Sequence, residues 1–156
     1  MKKFIPIQRI LFEECVRGTS FESIVKYEIE MLCRLTSDVK KGLKIKKTKR
    51  VFINTRVLKH LCDKRPEDEC ESVLDNLHTV VKYPDEIRLN KPGARGEYCL
   101  LKTMKGRTFI CPIEINVKNE IENISVVTIF WLRKEKYLKN LPLVWNWKQC
   151  RKSKQK

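Results

Sequence analysis

The sequence predicts an α+β fold, with N-terminal helices followed by a small, mostly antiparallel four-stranded sheet. Three observations carry that expectation. Residues 97–132 are rich in β-branched and aromatic side chains, interrupted by short polar breaks. Ahead of them lie two amphipathic stretches with apolar residues at helical spacing. Met104-Lys-Gly-Arg107 then joins two strand candidates by a short turn in which Gly106 is free to take positive φ.

From the N-terminus, a first helix is expected from Ile7, with Pro6 suited to its first turn and Gly18 as its stop. Thr19-Ser-Phe-Glu22 has the form of a capping box. Phe21, Ile24, Val25, Met31, Leu32 and Leu35 follow at helical spacing, which makes residues 1–39 a helical hairpin. Residues 40–50 carry seven cations in eleven positions and no acid, the composition of an exposed linker. Its Lys46, Lys47, Lys49 and Arg50 are candidates for phosphate contact.

The main domain is expected over residues 51–147. Asn54 or Thr55 caps a helix carrying Val57, Leu58 and Leu61, with His60 beside that face. A second helix opens on Pro66-Glu-Asp-Glu69, where acids suit the positive end of the helix dipole. Val73, Leu74, Leu77, Val80 and Val81 form its apolar stripe, and Pro84 ends it. Residues 86–89 are a short strand, and residues 91–96 a glycine-containing loop. Phe109, Cys111, Ile113 and Ile115 alternate as in a half-buried strand, with Pro112 marking an edge or a bulge. Residues 124–132, apolar on both faces, are the expected central strand. Tyr137, Leu138, Trp145 and Trp147 pack back on the sheet, ahead of a basic, disordered tail at residues 148–156. For Tyr137, packing is preferred over the alternative of stacking a base.

Composition narrows the partners. The chain has 156 residues and a formal net charge of +15. Residues 1–50 hold 13 Lys/Arg against 6 acids, residues 51–147 hold 16 against 13, and residues 148–156 hold 5 against none. The flanks therefore supply most of the charge and would attract a polyanion such as RNA. No apolar run approaches the length of a membrane span, so no membrane partner is expected. The N-terminal stretch is broken by Pro6, Gln8 and Arg9, which makes it a poor signal peptide, and the cytoplasm is the expected location. Seven cysteines without a Cys-x-x-Cys pair are expected to be free thiols in a reducing compartment. With only His60 and His78, no multi-histidine metal centre is expected. His78 is expected on a helix surface. Glycine-rich phosphate loops, His-Glu-x-x-His and Gly-x-Ser-x-Gly do not occur.

The order of Leu-Lys-His60-Leu on a helix, Lys82-Tyr-Pro-Asp-Glu-Ile-Arg88, a hairpin, Val126-Val-Thr128-Ile-Phe and a late Lys-Tyr-Leu resembles the phage-associated branch of the barnase–EndoU–colicin–RelE nuclease superfamily. The similarity covers residues 51–140. It departs from the family in the bulky Phe-Trp after Thr128 and in the basic N-terminal extension. The resemblance implies a metal-independent endoribonuclease, without cofactor, in which the ribose 2′-hydroxyl attacks the adjacent phosphate to give a cyclic phosphate. A toxin or phage-derived effector, with an antitoxin or phage protein as partner, is the corresponding setting. The catalytic roles it implies fall on His60 as acid or base, Arg88 and Lys102 as phosphate-binding cations, and Thr128 as a hydroxyl donor. Lys82 and Arg95 are reserves for the cationic role. Two alternatives stand beside it: a catalytically inactive relative that binds nucleic acid or another partner, and a DNA-binding regulator using residues 7–35 as a helix-turn-helix.

Overall fold

A computed structural model describes residues 4–46, 49–118 and 121–148 of the chain. Its centre is an eight-stranded mixed sheet, which corrects the expected four-stranded, mostly antiparallel one. In chain order the strands are β1 (Ile29–Arg34), β2 (Arg50–Asn54), β3 (Glu86–Leu89), β4 (Tyr98–Met104), β5 (Arg107–Lys118), β6 (Ile121–Val126), β7 (Phe130–Trp131) and β8 (Leu143–Asn146). Their spatial order is β1-β2-β6-β5-β4-β3-β8, with β7 paired to β5. All pairings are antiparallel except that of β2 with β6.

Among the described residues four helices accompany the sheet: α1 (Ile7–Cys15), α2 (Ser37–Gly42), α3 (Thr55–Asp63) and α4 (Glu67–Lys82), and a 3₁₀ turn spans Glu135–Asn140. Helices α3 and α4 fall where the apolar spacing places them. The Asn54 side chain caps α3 by accepting from the Val57 N–H at 2.9 Å. Glu67, Asp68 and Glu69 fill the first turn of α4. Val73, Leu74, Leu77, Val80 and Val81 are fully buried beneath it.

The extra strands come from the flanks. Residues 19–28 form no helix, and Ile29–Arg34 is a strand, so the helical hairpin and the helix-turn-helix reading of residues 7–35 both fail. What overrides the helical spacing is the ladder that β1 makes with β2. The expected linker is also built into the fold: Leu43 and Ile45 are buried, and Arg50 begins β2. One core runs from Leu11 through Leu32 and Leu43 to Ile129, so it crosses the boundary expected at residues 40–50. Lys47 and most of the basic tail lie outside the described residues.

The expected central strand is broken. Ile113 pairs with Val126, whereas Ile110 pairs with Phe130. Residues 127–129 therefore stand opposite only Cys111 and Pro112, an extra residue that makes a bulge. Proline lacks the N–H that a regular ladder requires, and bulges are where it is tolerated within a sheet. The Val127 N–H bonds to the Pro112 carbonyl at 3.0 Å. Gly96, at φ +91°, fits beside the bulge, since a Cβ there would come within 2.8 Å of the Ile113 carbonyl oxygen.

The helices cover one face of the sheet, and a smaller apolar cluster of Cys99, Leu101, Ile110 and Leu141 covers part of the other. Cys62 and Cys70 form a disulfide between α3 and α4, which corrects the expectation that all the thiols are free. Cys15, Cys33, Cys99 and Cys111 are free. His78 meets the ring of Phe4 edge-on at 6.4 Å, against α4. No helix among the described residues is long and apolar enough to cross a membrane.

If the N-terminal segment shares the core, Leu32→Ala costs the whole protein about 2–5 kcal/mol. Urea unfolding followed by tryptophan fluorescence and far-UV circular dichroism then gives a single, coincident transition at lower midpoint. Two separated transitions would show that residues 1–50 fold as their own unit.

Candidate phosphate-binding cleft

Because β2 and β6 are parallel, their C-terminal ends lie at the same end of the sheet. Strand β2 passes directly into α3 through Asn54, and β6 passes into the bulge. A cleft of about 960 Å³ lies between these two exits. Open sheets commonly place ligand sites beyond the carboxyl ends of parallel strands. Here α3 supplies Arg56, Val57 and His60, its C-terminal exit supplies Lys64 and Arg65, and the bulge supplies Val127 and Thr128. Tyr27, Arg95, Phe130 and Arg133 complete the wall.

Each contribution has a local cause. Arg56, His60 and Lys64 follow one another at intervals of four, so a single helix stripe presents all three. Tyr27 arrives on the segment that precedes β1. That segment is pinned by Thr55, whose hydroxyl donates to the Lys26 carbonyl at 2.7 Å and accepts from the Glu28 N–H at 3.0 Å. Buried Lys59 pins the same segment further back, donating to the Ser20 carbonyl at 2.8 Å while pairing with Asp63 at 3.0 Å. The Arg56 guanidinium lies 4.9 Å from the centre of the Tyr27 ring. Thr128 is in the cleft because the bulge takes it out of the ladder.

The electrostatics are one-sided. Among the described residues, five cations line the cleft and no carboxylate does. Arg133 is anchored from behind by Glu69 at 2.7 Å, a fully buried carboxylate that also accepts from the Trp131 N–H at 3.2 Å. Arg95 pairs with Glu114 at 3.4 Å. Arg56, Lys64 and Arg65 make no ion pair among the described residues. Half-buried Arg65 donates to the Leu61 carbonyl at 3.0 Å and to the Thr128 hydroxyl at 3.4 Å. Because that hydroxyl oxygen accepts from Arg65, its own proton is free for a ligand. Partial desolvation lowers the His60 pKa below its ordinary 6.5, Lys64 and Arg65 push it further down, and Asp63 opposes them. His60 keeps solvent contact and is therefore accessible as well as neutral at pH 7. One imidazole, the Tyr27 and Thr128 hydroxyls and several cations suit an anion better than a divalent cation.

Of the four residues given catalytic roles by resemblance, the structure brings His60 and Thr128 together and separates the other two. Arg88 donates to Glu86 at 2.7 Å and to the Leu141 carbonyl at 2.9 Å, which ties down the chain after the 3₁₀ turn. Lys102 donates to the Tyr83 carbonyl at 2.7 Å and lines a different groove with Lys82 and Trp145. Arg88 pairs with Cys99, and Lys102 with Phe109; those partners belong to opposite faces of the sheet. The four therefore do not form one constellation. Lys46 and Lys49 are exposed, and Arg50 starts β2, at the end of the sheet away from the cleft. Of the expected binding cations among the described residues, only Arg95 lines the cleft.

The residues missed are Tyr27, Asn54 as a lining group, Arg56, Lys64, Arg65, Phe130 and Arg133. The four-residue spacing around His60 could have found Arg56 and Lys64. The others depend on contacts between distant segments. Comparison with protein-family models, curated proteins and solved structures gives no match to this chain.

A histidine held down by cationic neighbours must respond when one is removed. In an NMR pH titration the His60 midpoint lies below 6.5, and Lys64→Gln moves it upward. A midpoint at or above 6.5 in the unaltered protein, or no movement in the variant, contradicts the field described here.

Proposed function

We propose that the protein binds the phosphodiester backbone of RNA in this cleft and cleaves it by metal-independent transesterification. The observation that supports the reading is the placement of accessible His60 beside the Arg65–Thr128 pair, within a cationic lining that lacks carboxylates. Neutral His60 takes the proton of the ribose 2′-hydroxyl, and that oxygen attacks the adjacent phosphorus. The bond from phosphorus to the 5′ oxygen breaks, leaving a 2′,3′-cyclic phosphate and a 5′-hydroxyl that collects its proton from solvent. Arg65 and its unpaired cationic neighbours stabilise the charge gathering on the phosphorane, and the Thr128 O–H donates to a nonbridging oxygen.

A cytoplasmic setting, which brings the protein to RNA, would keep Cys62 and Cys70 reduced, whereas the disulfide of the structure belongs to oxidising conditions. Such a nuclease needs restraint in its host, so the reading extends to a toxin or phage-derived effector with a partner that masks the cleft. An acidic antitoxin would have the matching charge.

A second reading is binding without cleavage. It is favoured by the single imidazole in the cleft, since transesterification gains from both an acid and a base.

In EDTA, the unaltered protein is expected to convert RNA to products ending in cyclic phosphate. His60→Ala lowers that rate by about 10²–10⁴-fold while RNA affinity stays within a few-fold. The acidic limb of the pH–rate profile is centred below 6.5, because protonating His60 removes the base. Salt-sensitive binding with no cyclic phosphate in either protein would establish the second reading. Equal cleavage by His60→Ala would remove His60 from the mechanism.

A further inference from the structure

Beyond Phe130 and Arg133, which line both spaces, the cleft continues into a second groove of about 660 Å³ alongside the 3₁₀ turn. Phe130 and Tyr137 form an aromatic step there, edge to face with ring centres 6.1 Å apart. Both rings are backed by the cluster of Cys99, Leu101, Ile110 and Leu141. The Lys91 ammonium stands 4.3 Å from the centre of the Tyr137 ring. Lys134, Lys136 and Lys139 also line the groove; they are exposed and make no ion pair among the described residues, and Glu135, which stands between the first two in the chain, is not part of the lining.

Aromatic rings set among ammonium groups that make no ion pair match a strand that alternates bases with phosphates, a base taking the place of the Lys91 ammonium on the Tyr137 ring. A duplex would keep its bases stacked on one another and offer only its backbone. We propose that this groove is a base-stacking subsite, holding a nucleotide next to the phosphodiester in the cleft and selecting an unpaired RNA strand. The inference rests on the reading of the cleft as a phosphodiester site. It adds a platform, built by Tyr137 and Phe130, and a direction in which the strand leaves the cleft.

The test is fluorescence anisotropy with the full chain and a labelled 2′-O-methyl RNA octamer, whose blocked 2′ oxygen cannot attack. Tyr137→Leu is expected to weaken binding about tenfold, and Tyr137→Phe to leave it within about twofold. The exposed double variant Lys136→Gln/Lys139→Gln weakens binding and shallows its salt dependence. An abasic strand of equal length binds the unaltered protein as weakly as the intact octamer binds Tyr137→Leu, and a duplex of that length also binds less well. Unchanged affinity in Tyr137→Leu, or equal binding of the abasic strand, overturns the subsite. If circular dichroism shows Tyr137→Leu to be misfolded, the double lysine variant and the abasic strand decide the question. Loss of affinity in Lys64→Gln alone, with the groove variants unaffected, keeps the cleft reading and rejects the subsite. No binding of the octamer by the unaltered protein rejects both.

Discussion

The pairing of β2 with β6 is the constraint on which the rest of the structure depends. It is the sheet's one parallel contact among the described residues, and it joins the N-terminal β1–β2 ladder to the antiparallel strands that follow. Parallel neighbours require a long crossover, and here that crossover contains α3, α4 and three strands. Val51 and Ile124 meet at its centre, both fully buried. Its functional consequence is directional. Two strands finish side by side, one opening into a helix and the other into a bulge, and the space between their exits is the cleft.

Position within the fold, more than charge alone, separates the cations. Arg88 and Lys102 hold loops in place by donating to carbonyls and nearby carboxylates. Arg9 and Arg17 clamp α1 to α4 through Glu71. In each case the positive group already has its partners. Arg56, Lys64 and Arg65 differ in making no ion pair among the described residues; the charges of Lys64 and Arg65 act on His60, and all three are left for any anion that enters. Buried Glu69 shows the intermediate case: it orients Arg133 while the guanidinium remains exposed.

Much of the helical structure was legible because local signals and tertiary packing agree. The stripe from Val73 to Val81, the acids that open α4 and Pro84 beyond its end needed no distant partner to be read. The turn at Lys105 and Gly106 was legible for the same reason, and both residues take positive φ. Residues 29–34 were misread because their apolar spacing fits a helix, whereas the β2 ladder decides their conformation. Pro112 was recognised as an edge or bulge signal, but which partner residues bulged depended on register. That register decided whether Thr128 lay in a ladder or in the cleft. His60 was visible as a chemical candidate, whereas Arg65, Tyr27 and Arg133 become neighbours of the site only through the fold. Most of the net charge sits in the flanks, yet the cations of the cleft come mainly from the nearly neutral part of the chain.

The most direct test of this account is amide NMR mapping of the protein titrated with an uncleavable 2′-O-methyl RNA oligonucleotide. The largest shifts are expected on residues 54–65 and 127–133, with saturation at a defined stoichiometry and weakening in salt. Shifts confined to the groove of Lys82, Lys102 and Trp145, with the cleft silent, would contradict it.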